Sequence, residues 1–166
     1  MIFVTVGTHE QPFDRLLLQV DKWAETSEEE VIMQTGFTDF KPKNAKWKKM
    51  MTACEMQDYF NNARIVITHG GPSSFMPLVL KGEIPIVVPR KFELCEHVNN
   101  HQVIFCNEFQ KKYGGIIVID DITEIDNYLN DFENKTKHLK NSFKSNNENF
   151  CIEFARIVES LFVQGK

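Results

Sequence analysis

No apolar run in this chain approaches the roughly 18 to 20 residues that cross a bilayer as a helix. The longest, such as IPIVVP at 84–89, are strand-sized and bounded by proline. Membrane association is therefore expected to be peripheral, borrowed from another chain. Positive charge is also scarce: 19 Lys and Arg against 23 Asp and Glu leave a formal charge of -4. There is no global positive field to draw the chain onto nucleic acid, and nucleic acid is not an expected partner. The four cysteines, Cys54, Cys95, Cys106 and Cys151, form no C-x-x-C pair, and MIFVTVG enters a strand pattern with no signal-peptide composition. Unpaired, buried thiols in a reducing cytoplasm are the expectation. Two nucleotide fingerprints are missing as well. There is no G-x-x-x-x-G-K-[ST], and the first strand is followed by GTHEQP rather than G-x-G-x-x-G, which disfavours a P-loop NTPase and a dinucleotide dehydrogenase. His97 and His101 have the spacing of one helix face, but Val98 stands where H-E-x-x-H requires glutamate, so no metal is expected.

What is present is an alternation of short apolar runs with helical stretches. Ile2 to Val6 is a continuous β-branched and aromatic run of the kind buried on both faces of a parallel sheet. After Pro12, Phe13, Leu16, Leu17 and Val20 recur at helical spacing. Further strands are predicted at Val31 to Met33, Arg64 to Thr68 and Pro85 to Val88, with weaker ones near Met50 and at Ile116 to Ile119. Helices are predicted at Glu55 to Asn62, Ser74 to Lys81, His97 to Glu108 and Ile122 to Phe132. This pattern specifies an α/β fold: a Rossmann-like, doubly wound, mainly parallel sheet covered on both faces. The expected organisation is one such domain over 1–132. Residues 133–166 then form a polar connection and a C-terminal amphipathic helix whose Phe150, Phe154, Ile157 and Leu161 pack on the same domain. The lysine-rich KPKNAKWKK at 41–49 is read as a solvated loop rather than a lipid-binding segment.

In an open parallel sheet, ligands bind outside the carboxyl ends of the strands. Two of these ends are glycine turns leading into helices: Gly7-Thr8-His9, and His69-Gly70-Gly71-Pro72-Ser73-Ser74. Glycine lets backbone approach a ligand, and a helix N-terminus suits an anion. Pro77 costs least in a first turn, so the helix is expected to start at Ser73 or Ser74, leaving the Ser73, Ser74 and Phe75 amides at the mouth of the site. Ser73 and Ser74 serve equally well as helix caps or as phosphate ligands at this level. Glu96, Asn99, Asn100 and Gln102 offer hydrogen-bonding groups suited to sugar hydroxyls.

The ordered set VTVGTHEQPFDRLL, ITHGGPSSFMPLVLKGEIPIVVPR and EHVNNHQ, spanning Met1 to about Glu108, resembles the bacterial capsule and exopolysaccharide glycosyltransferase subunits related to Alg13. These in turn are similar to the C-terminal donor domain of MurG-type family 28 glycosyltransferases. The resemblance implies the donor half of a GT-B enzyme. It would bind a UDP-sugar without a metal or other cofactor and pass a hexose or N-acetylhexosamine to a polyprenyl-diphosphate-linked glycan. It also implies an Alg14-like membrane-anchored partner, which supplies the acceptor site and the catalytic base and holds this cytoplasmic chain at the inner face of the membrane. A noncatalytic enhancer subunit using the same pocket is the alternative. Transferred by position, Gly7, Thr8, His69, Gly70, Gly71, Ser73 and Ser74 match the diphosphate-binding loops, with His69 a candidate stabiliser of the leaving group. Gln102 matches the glutamine that contacts the donor sugar, with Glu96, Asn99 and His101 as neighbours. Pro77 stands where the family commonly carries a ribose-binding glutamate, so ribose recognition does not transfer.

Overall fold

The computed structural model describes residues 1–163; the last three residues of the expected C-terminal segment lie outside the described residues. Six strands, β1 (Ile2–Thr5), β2 (Val31–Gln34), β3 (Lys46–Lys48), β4 (Ile65–His69), β5 (Ile86–Val88) and β6 (Ile117–Val118), form one sheet in the order β3-β2-β1-β4-β5-β6. Every pairing is parallel. Parallel neighbours require crossovers, and α1 (Asp14–Ala24), α2 (Ala53–Asn62), α3 (Pro72–Leu80) and α4 (His101–Tyr113) supply all of them but the loop between β2 and β3, while α5 (Ile125–Asn130) and α6 (Phe132–Thr136) follow the last strand. The expected doubly wound class is therefore correct. The order reverses between β1 and β4, and a ligand crevice belongs at that reversal.

Side-chain alternation divides the core. Ile2 and Val4 of β1, Ile65 and Ile67 of β4, and Ile86 and Val88 of β5 pack with Phe13, Leu16, Leu17 and Val20 from the α1 side. Phe3 and Val66 point the other way, against Leu78 of α3 and the Tyr59 and Phe60 rings of α2. Val87 joins Phe75, Cys106 and Phe109 of α3 and α4. Each such side chain contributes about 1.5–3 kcal/mol on leaving water, so both faces hold the sheet.

Several local expectations shift. The strand sought near Met50 lies at Lys46–Lys48, inside the stretch read as a solvated loop. An edge strand needs no apolar pattern, and Lys46 and Lys48 are paired with Glu30 and Glu55. The loop before it is pinned by buried Asp21 of α1, whose carboxylate accepts from the amides of Lys43, Asn44 and Ala45 at 2.9–3.2 Å. The helix sought at Ile122 to Phe132 is divided into a 3-10 turn, α5 and α6. Of the cysteines only Cys106 is buried. Its thiol is pushed up to about 12 by burial and by the charge of Asp120, which leaves it inert.

The final helix, α7 (Asn147–Val163), forms as the periodicity predicts. It does not pack on the domain: Phe150, Phe154, Ile157 and Leu161 are all exposed. The polar connection has already covered part of the domain surface. Phe143 sits 5.4 Å from the Phe109 ring and 5.3 Å from Tyr113, and the Asn141 amide donates to Val79 O at 2.6 Å.

Asp21→Ala leaves three loop amides without their acceptor. It is expected to cost about 2–3 kcal/mol in urea unfolding, against less than about 0.5 kcal/mol for exposed Asp58→Ala.

Candidate functional site

Beyond Thr5 the chain turns at Gly7, whose φ of +74° an L side chain rarely adopts. Gln34, at the end of β2, locks this turn. Its Oε1 accepts from Thr5 Oγ1 at 2.7 Å and from the Gly7 amide at 3.2 Å. Its Nε2 donates to Gly7 O at 3.0 Å and to Lys49 O at 2.9 Å. Opposite, at the end of β4, the His69 ring fills the space that the two glycines leave. A Cβ on Gly7 would lie 2.4 Å from its Nε2, and one on Gly71 would lie 2.2 Å from its Cε1. Gly71 has an ordinary φ of -76°, so its requirement for glycine is steric and comes from His69. The expectation that Gly71 clears room for phosphate is corrected on this point.

His69 is held neutral. Burial, then the charge of Arg90, push its pKa down to about 4. The Gly71 amide donates to its Nδ1 at 3.0 Å, which assigns the proton to Nε2, and Nε2 donates to Ser74 Oγ at 3.0 Å. The Ser74 hydroxyl hydrogen is thereby freed for a ligand. The same tautomer makes His69 a donor to Ser74 rather than a base, so the pair is not a nucleophile and its activator.

α3 begins one residue earlier than expected, at Pro72 after Gly71, and no side chain caps it. Pro72 has no N–H, and the Ser74 amide is bonded to Gly71 O at 3.0 Å. The helix end thus offers the Ser73 amide with the two serine hydroxyls, a smaller donor set than the three expected amides. Pro77 falls in the second turn, not the first, and removes the donor to Ser73 O. Ser73 and Pro77 both lie on the exposed side, where water replaces that bond.

The segment that ends at Gln102 is braced by Arg90, which is 0% exposed. One guanidinium nitrogen donates to Gln11 O, Pro12 O and Glu96 O at 2.8–3.2 Å, the other to Val6 O at 2.9 Å, and the group lies 4.7 Å over the Phe13 ring. Burial lowers its pKa to about 10, which leaves it cationic at neutral pH. The Arg90 amide donates to Gln102 Oε1 at 3.1 Å. Glu96, expected beside the sugar, is instead consumed by structure: its oxygens accept from Arg15 Nε and Nη2 at 2.9 Å and from the Lys91 amide at 3.0 Å. Asn99 Oδ1 accepts from the His101 amide at 3.1 Å and faces His101 Nδ1. His97 precedes α4 rather than sharing its face with His101. The rings of His9, His97 and His101 nevertheless cluster, His9 tilted by 40° to His97 and His101 edge-on to it, with successive centroids 4.6 Å apart. Among the described residues no group of three or more His, Cys, Asp or Glu side chains is placed to hold a metal ion.

These elements enclose a cavity of about 540 Å³ at the carboxyl ends of β1, β2 and β4. Gly7, Thr8, His69, Ser73, Ser74 and Gln102 line it, as the sequence suggests, whereas Gly70, Gly71, Glu96, Asn99 and His101 stand behind or beside the wall. Gly70 is packed against Gln102 and Cys106. Thr5, Gln34 and the three methionines Met50, Met51 and Met56 were not anticipated, and His9 only as the end of the first glycine turn. A polar residue closing a buried strand, and a Met pair just before the capping Thr52, were the available signals. Its size is that of a small-molecule site.

The family model of the glycosyltransferase family 28 C-terminal domain matches residues 1–159. The chain belongs to that family. No curated protein matches it at a significant level. A family 28 C-terminal domain is the donor-binding half of a glycosyltransferase, and the parallel six-stranded sheet is the corresponding half of a GT-B enzyme. In this family 28 domain the crevice lies where the strand order reverses, between the two glycine turns.

Two outcomes follow from His69. Gly71→Ala should cost about 1–3 kcal/mol in otherwise native protein and much less in a His69→Ala background; additive costs in urea unfolding would show that the ring is not what Gly71 accommodates. Because the folded pKa is about 4 against an ordinary 6.5, the unfolded chain binds the proton first as pH falls. This contribution to stability is complete above about pH 6.5 and is lost progressively down to about pH 4. His69→Gln should flatten the loss of stability between about pH 7 and about pH 5. Part of the slope will remain, since His97 is shifted in the same direction by its own burial and by His9, His101 and Arg90.

Proposed function

We propose that this domain is the donor-binding subunit of a two-component glycosyltransferase. It takes a UDP-sugar and, with an Alg14-like membrane-anchored partner, transfers a hexose or N-acetylhexosamine to a polyprenyl-diphosphate-linked glycan in capsule or exopolysaccharide synthesis. The observation that carries this reading is the cavity itself. Ser73 and Ser74 at the start of α3, the soft side chains of Met50, Met51 and Met56, and the polar groups of Gln102 and His9 all line it. Such a lining offers chemistry suited to a diphosphate, a base and a sugar.

In the proposed reaction the acceptor hydroxyl oxygen bonds to the anomeric carbon while the bond from that carbon to the diphosphate oxygen breaks. Negative charge then grows on UDP. The Ser73 amide, the Ser73 and Ser74 hydroxyls and the α3 dipole are aimed at this charge before it develops. His69 acts through Ser74, by holding the hydroxyl with its hydrogen outward, and contributes no charge of its own. The acceptor proton goes to a base on the partner, since no Asp or Glu lines the cavity among the described residues and His69 is in the donor tautomer. The partner also places the domain at the inner face of the cytoplasmic membrane. Among the described residues no helix is long and apolar enough to cross one.

Calorimetry and a transfer assay test this together. UDP should bind the purified chain more tightly than ADP or inorganic phosphate, and Ser74→Ala should weaken UDP by about fivefold to tenfold. Transfer to a lipid-linked acceptor should appear only when the partner is coexpressed. Equal binding of UDP, ADP and phosphate would remove the nucleotide-sugar assignment. UDP binding without transfer of any donor in the partner's presence would make the domain a noncatalytic enhancer.

A further inference from the structure

In sequence the stretch from Lys41 to Lys49 reads as a solvated loop, but the sheet sorts its side chains to two sides. β3 lies in register with β2, Lys46 opposite Ile32, Trp47 opposite Met33 and Lys48 opposite Gln34. Ile32 belongs to the core on the α2 side, and the lysines turned that way are neutralised, Lys46 by Glu30 and Lys48 by Glu55 of α2. Met33 belongs to the core on the α1 side, so Trp47 is turned towards α1. The ladder runs on past β3, where the Gly36 amide donates to Lys49 O at 2.8 Å, and by the same alternation Lys49 follows Trp47. The loop that carries Lys41 and Lys43 is tied to this side by Asp21 of α1, through the amides of Lys43, Asn44 and Ala45.

Lys41, Lys43 and Lys49 are exposed, and among the described residues no carboxylate lies within ion-pair distance of any of them. Asp39 is the one acidic residue between Phe37 and Met51. Apolar groups stand among these free cations. Trp47 is exposed, and so are Phe37 and Met50, which follow the two residues joined by the Gly36–Lys49 bond. Met50 also lines the cavity, so the patch adjoins its mouth.

Cations alone suit any polyanion, but a nucleic acid presents phosphates without an apolar phase behind them. A bilayer with anionic headgroups meets both halves of the patch. Lysine stems lie along apolar surface while their ammonium groups reach headgroups, and a tryptophan ring settles at the same level. The chain as a whole carries a formal charge of -4, so an anionic surface repels its other faces and selects this one.

We propose that the α1 side of the β3 margin is a lipid-contact surface, which docks the domain on an anionic bilayer with the mouth of the cavity beside the membrane. This contact is the domain's own, additional to the anchoring assigned to a partner, and it stands whatever the cavity binds. Each unpaired lysine near such a surface is worth about fivefold in partition, so the contact is reversible and orients the domain rather than anchoring it.

Flotation of the full chain, without a partner, on vesicles of phosphatidylcholine alone and of phosphatidylcholine with about 30% phosphatidylglycerol tests this. The chain should float with the anionic vesicles in about 50 mM salt, stay behind with the neutral ones, and be released in about 0.5 M salt. Lys41→Gln, Lys43→Gln and Lys49→Gln together should lower the partition coefficient by about tenfold or more, whereas the same charge removed by Lys137→Gln, Lys140→Gln and Lys144→Gln should leave it within about threefold. Trp47→Ser should weaken it by about threefold or more. No flotation with anionic vesicles, equal flotation with neutral ones, or equal losses in the two triple variants would overturn the proposal. Unchanged partition in Trp47→Ser would overturn the part given to the apolar groups. Release from the anionic vesicles by a DNA oligonucleotide at an equal concentration of phosphate groups would overturn the choice of lipid.

Discussion

The site depends on one buried cation. Arg90 lies two residues beyond the end of β5, is removed from solvent, and spends its guanidinium on the carbonyls of Val6, Gln11, Pro12 and Glu96. Burying a charge is costly unless it is hydrogen-bonded, and four carbonyls plus the face of Phe13 supply that compensation. In return the loop after β1, the end of β5 and the turn before α4 are held in one arrangement. Gln102, His9 and Gly7 owe their relative positions to this junction. The Arg15–Glu96 pair joins the same junction to α1, which explains why a carboxylate so near the cavity does not face it.

Beside this brace, His69 and the start of α3 set the polar end of the cavity. Neutral His69 lies between two glycines and turns Ser74 outward, so a group without charge sets the direction of the hydroxyl that faces the cavity. The contribution of a helix end alone is modest, about 0.3–2 kcal/mol, and Pro72 together with the Ser74–Gly71 bond reduces the amides it exposes. The hydroxyls of Ser73 and Ser74 line the cavity and neither caps the helix, which separates two roles that a sequence pattern leaves equal.

The fold was legible because the core strands are saturated with Ile, Val and Phe and separated by helical periodicity. That pattern admits few arrangements besides a covered parallel sheet. The glycine turns were legible for the same reason, as breaks at strand ends. What the sequence did not disclose were the partners of individual side chains. Glu96 looked free because Arg15 is 81 positions away, and Gly71 looked reserved for a ligand because the His69 ring that fills its space is a matter of rotamer. β3 was displaced from Met50 because an edge strand carries no apolar signature; Met50 and Met51 reach the cavity from the turn that follows it and Met56 from the first turn of α2. For α7, periodicity showed that a face exists but not what it meets.

The margins of the sheet decide how the domain can grow. β3 is three residues long and flanks Trp47 with two ion-paired lysines, while β6 at the other margin has two residues. Short, charged borders are poor templates for strand addition. A second chain therefore gains little by extending the sheet. Larger assemblies built from this unit must be joined through helices and loops, at right angles to the direction in which the strands themselves hydrogen-bond.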